Sequence, residues 1–207
     1  MFLIVVSLCS CSSRIYDRFL QKEAFTIGLQ PKDTLVDIGS GSGEVNIRYA
    51  MACKGLHQIL VDTNRYLLNE KNLTHLNNLL KKKAKGPYSL SYNILYNAPD
   101  TIPLPSGLYK KVLFRKSFHE LNDMDKMIDE AHRILISQGS LIIIEANPQK
   151  PNQTDPGCKK KYLTPKQIQE IVTARGFYLV EHQKEFIRKN QVNKKVYFNV
   201  LKFQKSG

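Results

Sequence analysis

The chain has 207 residues, the length of one ordinary domain. Its composition, 42% apolar and 24% charged, is that of a globular protein and excludes a disordered tail or a collagen-like repeat. No apolar run approaches the roughly 18 residues of a membrane-spanning helix, and the net charge of +13 bears on partners and solubility, not on fold.

The segment Met1 to Cys11 is apolar, has the length of a signal-peptide core and ends in small residues. Leu8-Cys9-Ser10-Cys11, followed by Ser12 and Ser13, resembles the lipobox of bacterial lipoproteins. The resemblance implies lipidation at Cys11, and with it a membrane anchor. No Lys or Arg precedes Arg14, and the other reading is a buried N-terminal strand or helix turn. Residues 1–13 are therefore set apart from a single domain spanning 14–207.

From there strands and helices alternate. Tyr16 to about Leu29 reads as a helix, and Pro31 to Asp33 as a turn. Leu35 to Ile38 is a short buried strand, followed by glycine-rich Gly39 to Gly43 and a helix from Glu44 to about Lys54, with Gly55 suited to its C-terminal cap. Cys53 falls in that helix as a core residue. Gln58 to Asp62 is the second strand, Arg65 to Lys83 the second helix and Tyr88 to Leu95 the third strand. A proline-rich loop, Ala98 to Gly107, leads to the fourth strand, Lys111 to Phe114. Met124, Met127, Ile128, Ala131, Ile134 and Leu135 recur at three- and four-residue spacing, the face of an amphipathic helix. Ser140 to Glu145 is apolar up to its last residue, as in a strand buried on both faces. The last helix has Thr164 as N-cap, Pro165 in its first position, Gln167 closing a capping box, a staple of Leu163 on Ile168, and Gly176 at its end. Phe177 to Ile187 and Val196 to Phe203 then form an antiparallel edge hairpin.

The predicted fold is α/β: a doubly wound, mostly parallel seven-stranded sheet with helices on both faces and an antiparallel C-terminal hairpin. Ligands of such sheets bind beyond the carboxyl ends of the strands, where strand order reverses. The chemistry is therefore expected just after Ile38, Val61, Leu95 and Phe114.

The loop after the first strand reads Gly39-Ser40-Gly41-Ser42-Gly43, with Asp37 inside the strand before it. A dinucleotide fingerprint counted from Gly39 needs glycine at position 44. Glu44 stands there, and its carboxylate would repel a pyrophosphate at the helix N-terminus. No Gly-Lys-Ser/Thr follows, which excludes a phosphate-binding P-loop. Asp62 ends the second strand, where a carboxylate can accept two hydrogen bonds from a ribose diol. Its other reading is a helix N-cap.

These motifs, in this order, resemble the class I S-adenosylmethionine-dependent methyltransferases with a domain of the type 11/25 kind, over roughly residues 16–203. Leu35 to Gly43 looks like the family's first motif and Ile59 to Asp62 its second. Asn97 to Pro105, Arg115 to Leu121, Ala131 to Gly139 and Leu163 to Phe177 are similar to its later segments. The resemblance implies a Rossmann-like methyltransferase fold and S-adenosyl-L-methionine as cofactor. It implies that Asp37 orients the methionine amino group, and that Gly39, Ser40, Gly41 and Gly43 form the loop its methionine end approaches. Asp62 would then bind the ribose hydroxyls, Thr63, Asn97 and Ala98 would lie near the adenine, and the Arg115 backbone would lie near the methyl group. Asn97 replaces the usual Asp, and Ser137-Gln138 the usual Lys-Pro.

Methyl transfer from a sulfonium needs a base only when the acceptor must lose a proton. His119, with Glu120 beside it, is the candidate, and its structural reading is a histidine that packs the loop. No Asn/Asp-Pro-Pro-Tyr/Phe follows the fourth strand, as amino-directed nucleic-acid enzymes of the family have, and no Pro-Cys nucleophile is present. The four cysteines Cys9, Cys11, Cys53 and Cys158 lack zinc-ligand spacing, so no metal is expected.

Residues 148–207 carry thirteen basic against four acidic side chains, and Lys150, Lys159, Lys160 and Lys161 lie where this fold often covers its substrate. They point to an anionic acceptor or to a solvated lysine surface; nucleic acid is the less favoured partner. The leading reading is a methyltransferase acting on a small-molecule or lipid-like acceptor. The alternative is a non-catalytic cofactor-binding module of the cell envelope. The cofactor's supply places the first in the cytoplasm, and processing at Cys11 would place the chain at a membrane. An oxidoreductase is disfavoured by Glu44.

Overall fold

The computed structural model describes residues 18–82, 88–98, 100–189 and 195–207. The segment with Cys9 and Cys11, the end of the predicted second helix at Lys83, and the centre of the hairpin turn lie outside them.

Helix α1 (18–26) leads into β1 (Thr34–Ile38), α2 (Glu44–Ala52), β2 (His57–Asp62), α3 (Glu70–Lys81) and β3 (Ser91–Tyr96). The chain then crosses back to β4 (Tyr109–Arg115), a single 3-10 turn (Phe118–Glu120), α4 (Met124–Ile134), β5 (Leu135–Ala146), α5 (Pro165–Thr173), β6 (Phe177–Lys189) and β7 (Lys195–Lys205). The seven strands form one sheet in the order β3-β2-β1-β4-β5-β7-β6. The strands from β3 through β5 pair in parallel, and β7 runs antiparallel between β5 and β6. Strand order reverses between β1 and β4, which opens a crevice at their carboxyl ends.

The core follows the two-residue period of the strands. Val36, Val112, Phe114, Leu141 and Ile143 face α4 and α5, where Met127, Ile128, Ala131, Ile134, Ile168 and Val172 meet them. Leu35, Leu113, Ile142 and Ile144 face the other way, onto Phe19, Leu20, Ala24, Ile27, Tyr49 and Cys53 of α1, α2 and the turns that follow them. Leu141, Ile142, Ile143 and Ile144 are fully buried, each contributing roughly 1.5–3 kcal/mol of transfer free energy. Leu60, Leu68 and Leu73 anchor α3. No helix among the described residues is long and apolar enough to cross a membrane.

Several predicted boundaries move, for local reasons. α3 begins at Glu70, not Arg65, because the Asn64 side chain accepts from the N–H groups of Tyr66 and Leu67 and turns the chain there. Asn69 then caps the helix by accepting from the Asn72 N–H, so Asp62 is not its N-cap. α2 ends on an extended Cys53, and Gly55 serves the following turn at φ 74° instead of capping the helix. β3 starts at Ser91 instead of Tyr88, and β4 runs past Lys111–Phe114 to Tyr109 and Arg115. β5 begins at Leu135, directly after α4, where Leu135 pairs with Tyr109 before a bulge. The capping box of Thr164 and Gln167 forms as expected.

Candidate active site

The glycine loop is shaped by contacts on three sides. The N–H groups of Gly39 and Ser40 both donate to the Val61 carbonyl, at 2.8 and 3.2 Å. Gly39 sits at φ 75°, and a Cβ there would stand 2.4 Å from the Ser117 Cβ, so the loop after β1 and the loop after β4 touch only because residue 39 has no side chain. Gly43 heads α2 at φ 72°, where a Cβ would meet Leu73 at 2.5 Å.

Asp62, at the end of β2, faces this loop. Its Oδ2 accepts from the Gly41 N–H and its Oδ1 from the Asn64 N–H, both at 2.8 Å. Each oxygen keeps a further lone pair.

Beneath the loop, Asp37 is 2% exposed. Its Oδ2 accepts from Asn46 Nδ2 at 2.8 Å, while its Oδ1 is buried without a partner. Burial pushes its pKa up to about 6; the Asn46 hydrogen bond and the charge of Arg115 offset part of the rise, and the charges of Asp62 and Glu23 add to it. The Ser40 hydroxyl is likewise buried and unpartnered. Orphaned buried acceptors next to a crevice are what a ligand carrying donors would satisfy.

These loops bound a cleft of about 620 Å³. Gly39, Ser40, Gly41, Asp62, Thr63, Asn97 and Arg115, all predicted from sequence, line it together. Asp37 lies below the loop, and Gly43 serves the start of α2. Ala98 is exposed, bridges to Thr101 and is not among the lining residues. The Arg115 guanidinium turns inward to Glu23, 2.7 and 3.2 Å away, and Glu23 also accepts from the Tyr49 hydroxyl.

His119 does not line the cleft. It is 2% exposed, and its Nδ1 lies 2.8 Å from Glu145 Oε2. Burial alone would lower its pKa, but the Glu145 hydrogen bond, with the charges of Glu145, Glu120 and Asp155, outweighs burial and holds it above the usual histidine value. Its Nε2 lies 3.5 Å from Cys158 Sγ. Ligand-type atoms of His119, Asp155 and Cys158 lie within 4.8 Å of one another. Cysteine spacing could not show this, since only one of the three residues is a cysteine.

The lining is completed by Ile38, by Glu120, expected only as the neighbour of His119, and by Asn64, Leu67, Lys116, Ser117, Leu121 and Asn122, which sequence reasoning missed. Lys116 adopts φ 60°, a conformation costly for a residue with a Cβ, immediately after β4. Glu145 was legible by the cue that marks Asp37 and Asp62: one acid in an otherwise apolar strand.

The family model of the methyltransferase domain matches residues 36–143, more than half of the chain. The chain belongs to the methyltransferase domain family. No curated protein sequence is similar to it at a significant level. Among solved structures, it is similar to a SAM-dependent methyltransferase from Methanosarcina mazei at 15% identity and a TM-score of 0.66, over 86% of this chain and 94% of that one. A SAM-dependent methyltransferase from Aquifex aeolicus matches at 16% identity and a TM-score of 0.63, covering 89% of this chain and 88% of the other. The YcgJ protein from Bacillus subtilis matches at 12% and 0.65, over 92% and 99%. At these identities the likeness is one of fold, and the methyltransferase sheet with its antiparallel last strand is the one seen here.

Proposed function

We propose that this methyltransferase takes its methyl group from S-adenosyl-L-methionine and transfers it to a small-molecule or lipid-like acceptor. The observation that carries the reading is Asp62, a cleft-lining carboxylate at the end of β2 that is bonded directly to the glycine loop. When bound, the cofactor supplies a sulfonium whose methyl group passes to an acceptor's electron pair by in-line displacement.

The chain's own residues would bind and orient it. Asp62 would accept from a ribose diol with the lone pairs its two backbone contacts leave. The unpartnered Oδ1 of Asp37 supports a role in holding the methionine ammonium, and a cation there would favour the ionised carboxylate. Gly39, Ser40 and Gly41 keep the cleft wall thin, so that the backbone itself faces the ligand. Thr63 and Asn97 stand at the adenine end in this reading. Lys116 and Glu120 line the cleft without belonging to the predicted cofactor set, which leaves them to face the acceptor.

The test is calorimetric titration of the full chain with S-adenosylhomocysteine and, as control, NAD. Micromolar binding of S-adenosylhomocysteine alone is expected. Incubation with methyl-labelled cofactor and fractionated extracts should then place label in a low-molecular-weight or lipid fraction. Failure to bind S-adenosylhomocysteine would overturn the cofactor assignment, and label confined to protein or nucleic acid would overturn the acceptor class.

A further inference from the structure

We propose that His119, Asp155 and Cys158 form a binding site for a divalent cation of the zinc class, with Glu145 as its outer partner. The proposal rests on these side chains alone and does not depend on what the cleft binds.

The donor set suits a borderline-soft ion, since it joins an imidazole, a thiolate and a carboxylate. The spacing fits as well. Zinc bonds of about 2.0–2.1 Å to nitrogen and about 2.3 Å to sulfur, at a tetrahedral angle, place the two ligand atoms about 3.6 Å apart. His119 Nε2 and Cys158 Sγ are 3.5 Å apart. All three ligand atoms fall within 4.8 Å, so the widest pair needs to close by roughly 1 Å around an ion.

The surroundings hold these groups in place. Glu145, 1% exposed, takes the Nδ1 side of His119 at 2.8 Å and leaves Nε2 to face the cluster. A carboxylate behind a ligating histidine is the usual outer arrangement at zinc sites. Asp155-Pro156-Gly157-Cys158 supplies two donors with two residues between them, the spacing of a zinc knuckle. Its turn is preformed: Asp155 Oδ1 accepts from the N–H groups of Gly157 and Cys158, at 2.6 and 3.1 Å. Tyr162 donates to Asp155 Oδ2 at 2.6 Å, and its ring lies 5.2 Å from that of His119. Glu120, which lines the cleft, places its carboxylate 3.9 Å from His119 Nε2 at the edge of the cluster. Binding deprotonates the Cys158 thiol; its proton passes to solvent and the sulfur electron pair forms the metal bond.

Cobalt(II) is the probe. Full-length protein stripped with a chelator is titrated with cobalt, then with zinc. One cobalt per chain should bind, with a sulfur-to-cobalt charge-transfer band in the near ultraviolet that zinc abolishes. Cys158→Ser should remove the band, and Cys53→Ala should leave it intact. Glu145→Gln should keep it and weaken affinity about 10- to 100-fold. Asp155→Asn, at a half-buried position, should weaken cobalt binding while keeping the thiolate band, and circular dichroism checks the fold of each variant. Absence of a thiolate band in the wild-type chain, or a band unchanged in Cys158→Ser, would overturn the site.

Discussion

The Asp62 carboxylate holds the backbone N–H of Gly41, twenty-one residues earlier in the chain, at 2.8 Å. The group assigned to the ribose thus also fixes the loop beneath the ligand. Asp62→Ala removes both roles. A charge-assisted bond of about 1.5–3 kcal/mol corresponds to a roughly 10- to 150-fold loss of S-adenosylhomocysteine affinity, measured by calorimetry. Asp62→Asn keeps one acceptor oxygen and should fall between wild type and Asp62→Ala.

Asp37 sets stability against pH. Its pKa is about 6 in the folded chain against an ordinary 3.8, so the folded state holds its proton more tightly than the unfolded state. Below 3.8 both states are protonated and there is no penalty; as pH rises toward 6, the unfolded state ionises first and stability falls. Above that window the cost is on the order of 2–3 kcal/mol. Asp37→Asn should therefore be more stable than wild type at pH 7.5, with the gap closing toward pH 4. Urea unfolding across this pH range measures it. The same variant should bind S-adenosylhomocysteine more weakly.

Much of this site was legible because the strands are apolar. An acid inside such a strand, as at positions 37 and 62, has no packing reason to be there; Asp62 lines the cleft, and Asp37 lies buried beneath its glycine loop. The order of the elements followed from the same contrast. What the sequence did not disclose were contacts between residues distant along the chain. His119 meets Glu145 only because β4 and β5 lie side by side, with Phe114 opposite Ile143, and it meets Cys158 only because the following loop folds back. The start of α3 was misplaced for the opposite reason, a purely local one: the Asn64 side chain competed with the helix for backbone N–H groups.

The buried pair of Glu23 and Arg115 ties α1 to the end of β4. Glu23 is fully buried, so Arg115→Ala leaves its charge without this partner, at an expected cost of about 3–5 kcal/mol in urea unfolding. The double replacement Glu23→Gln with Arg115→Met removes both charges and should recover most of that loss. A double variant as unstable as Arg115→Ala would show that the loss lies in packing, not in charge.

Gly39 should tolerate no side chain. Gly39→Ala combines the left-handed backbone, worth about 1–2 kcal/mol, with a Cβ driven to 2.4 Å from Ser117. A total loss of at least about 2 kcal/mol is expected. Adding Ser117→Gly relieves the clash but not the backbone term, so thermal denaturation should show partial rescue.

The position of β7 bears on how the chain is assembled at the ribosome. The seventh strand along the chain is an interior one: Phe198 to Gln204 pair with Ala146 to Ser140 on one side, and β7 pairs with β6 on the other. Until those residues have emerged, β5 has an open edge beside Leu141 to Ile144, apolar side chains that are fully buried in the folded protein, and β6 has no neighbour to join. From the synthesis of β5 until β7 emerges, the nascent chain therefore carries an unpaired strand edge beside apolar side chains, the stage at which it is most open to mispairing.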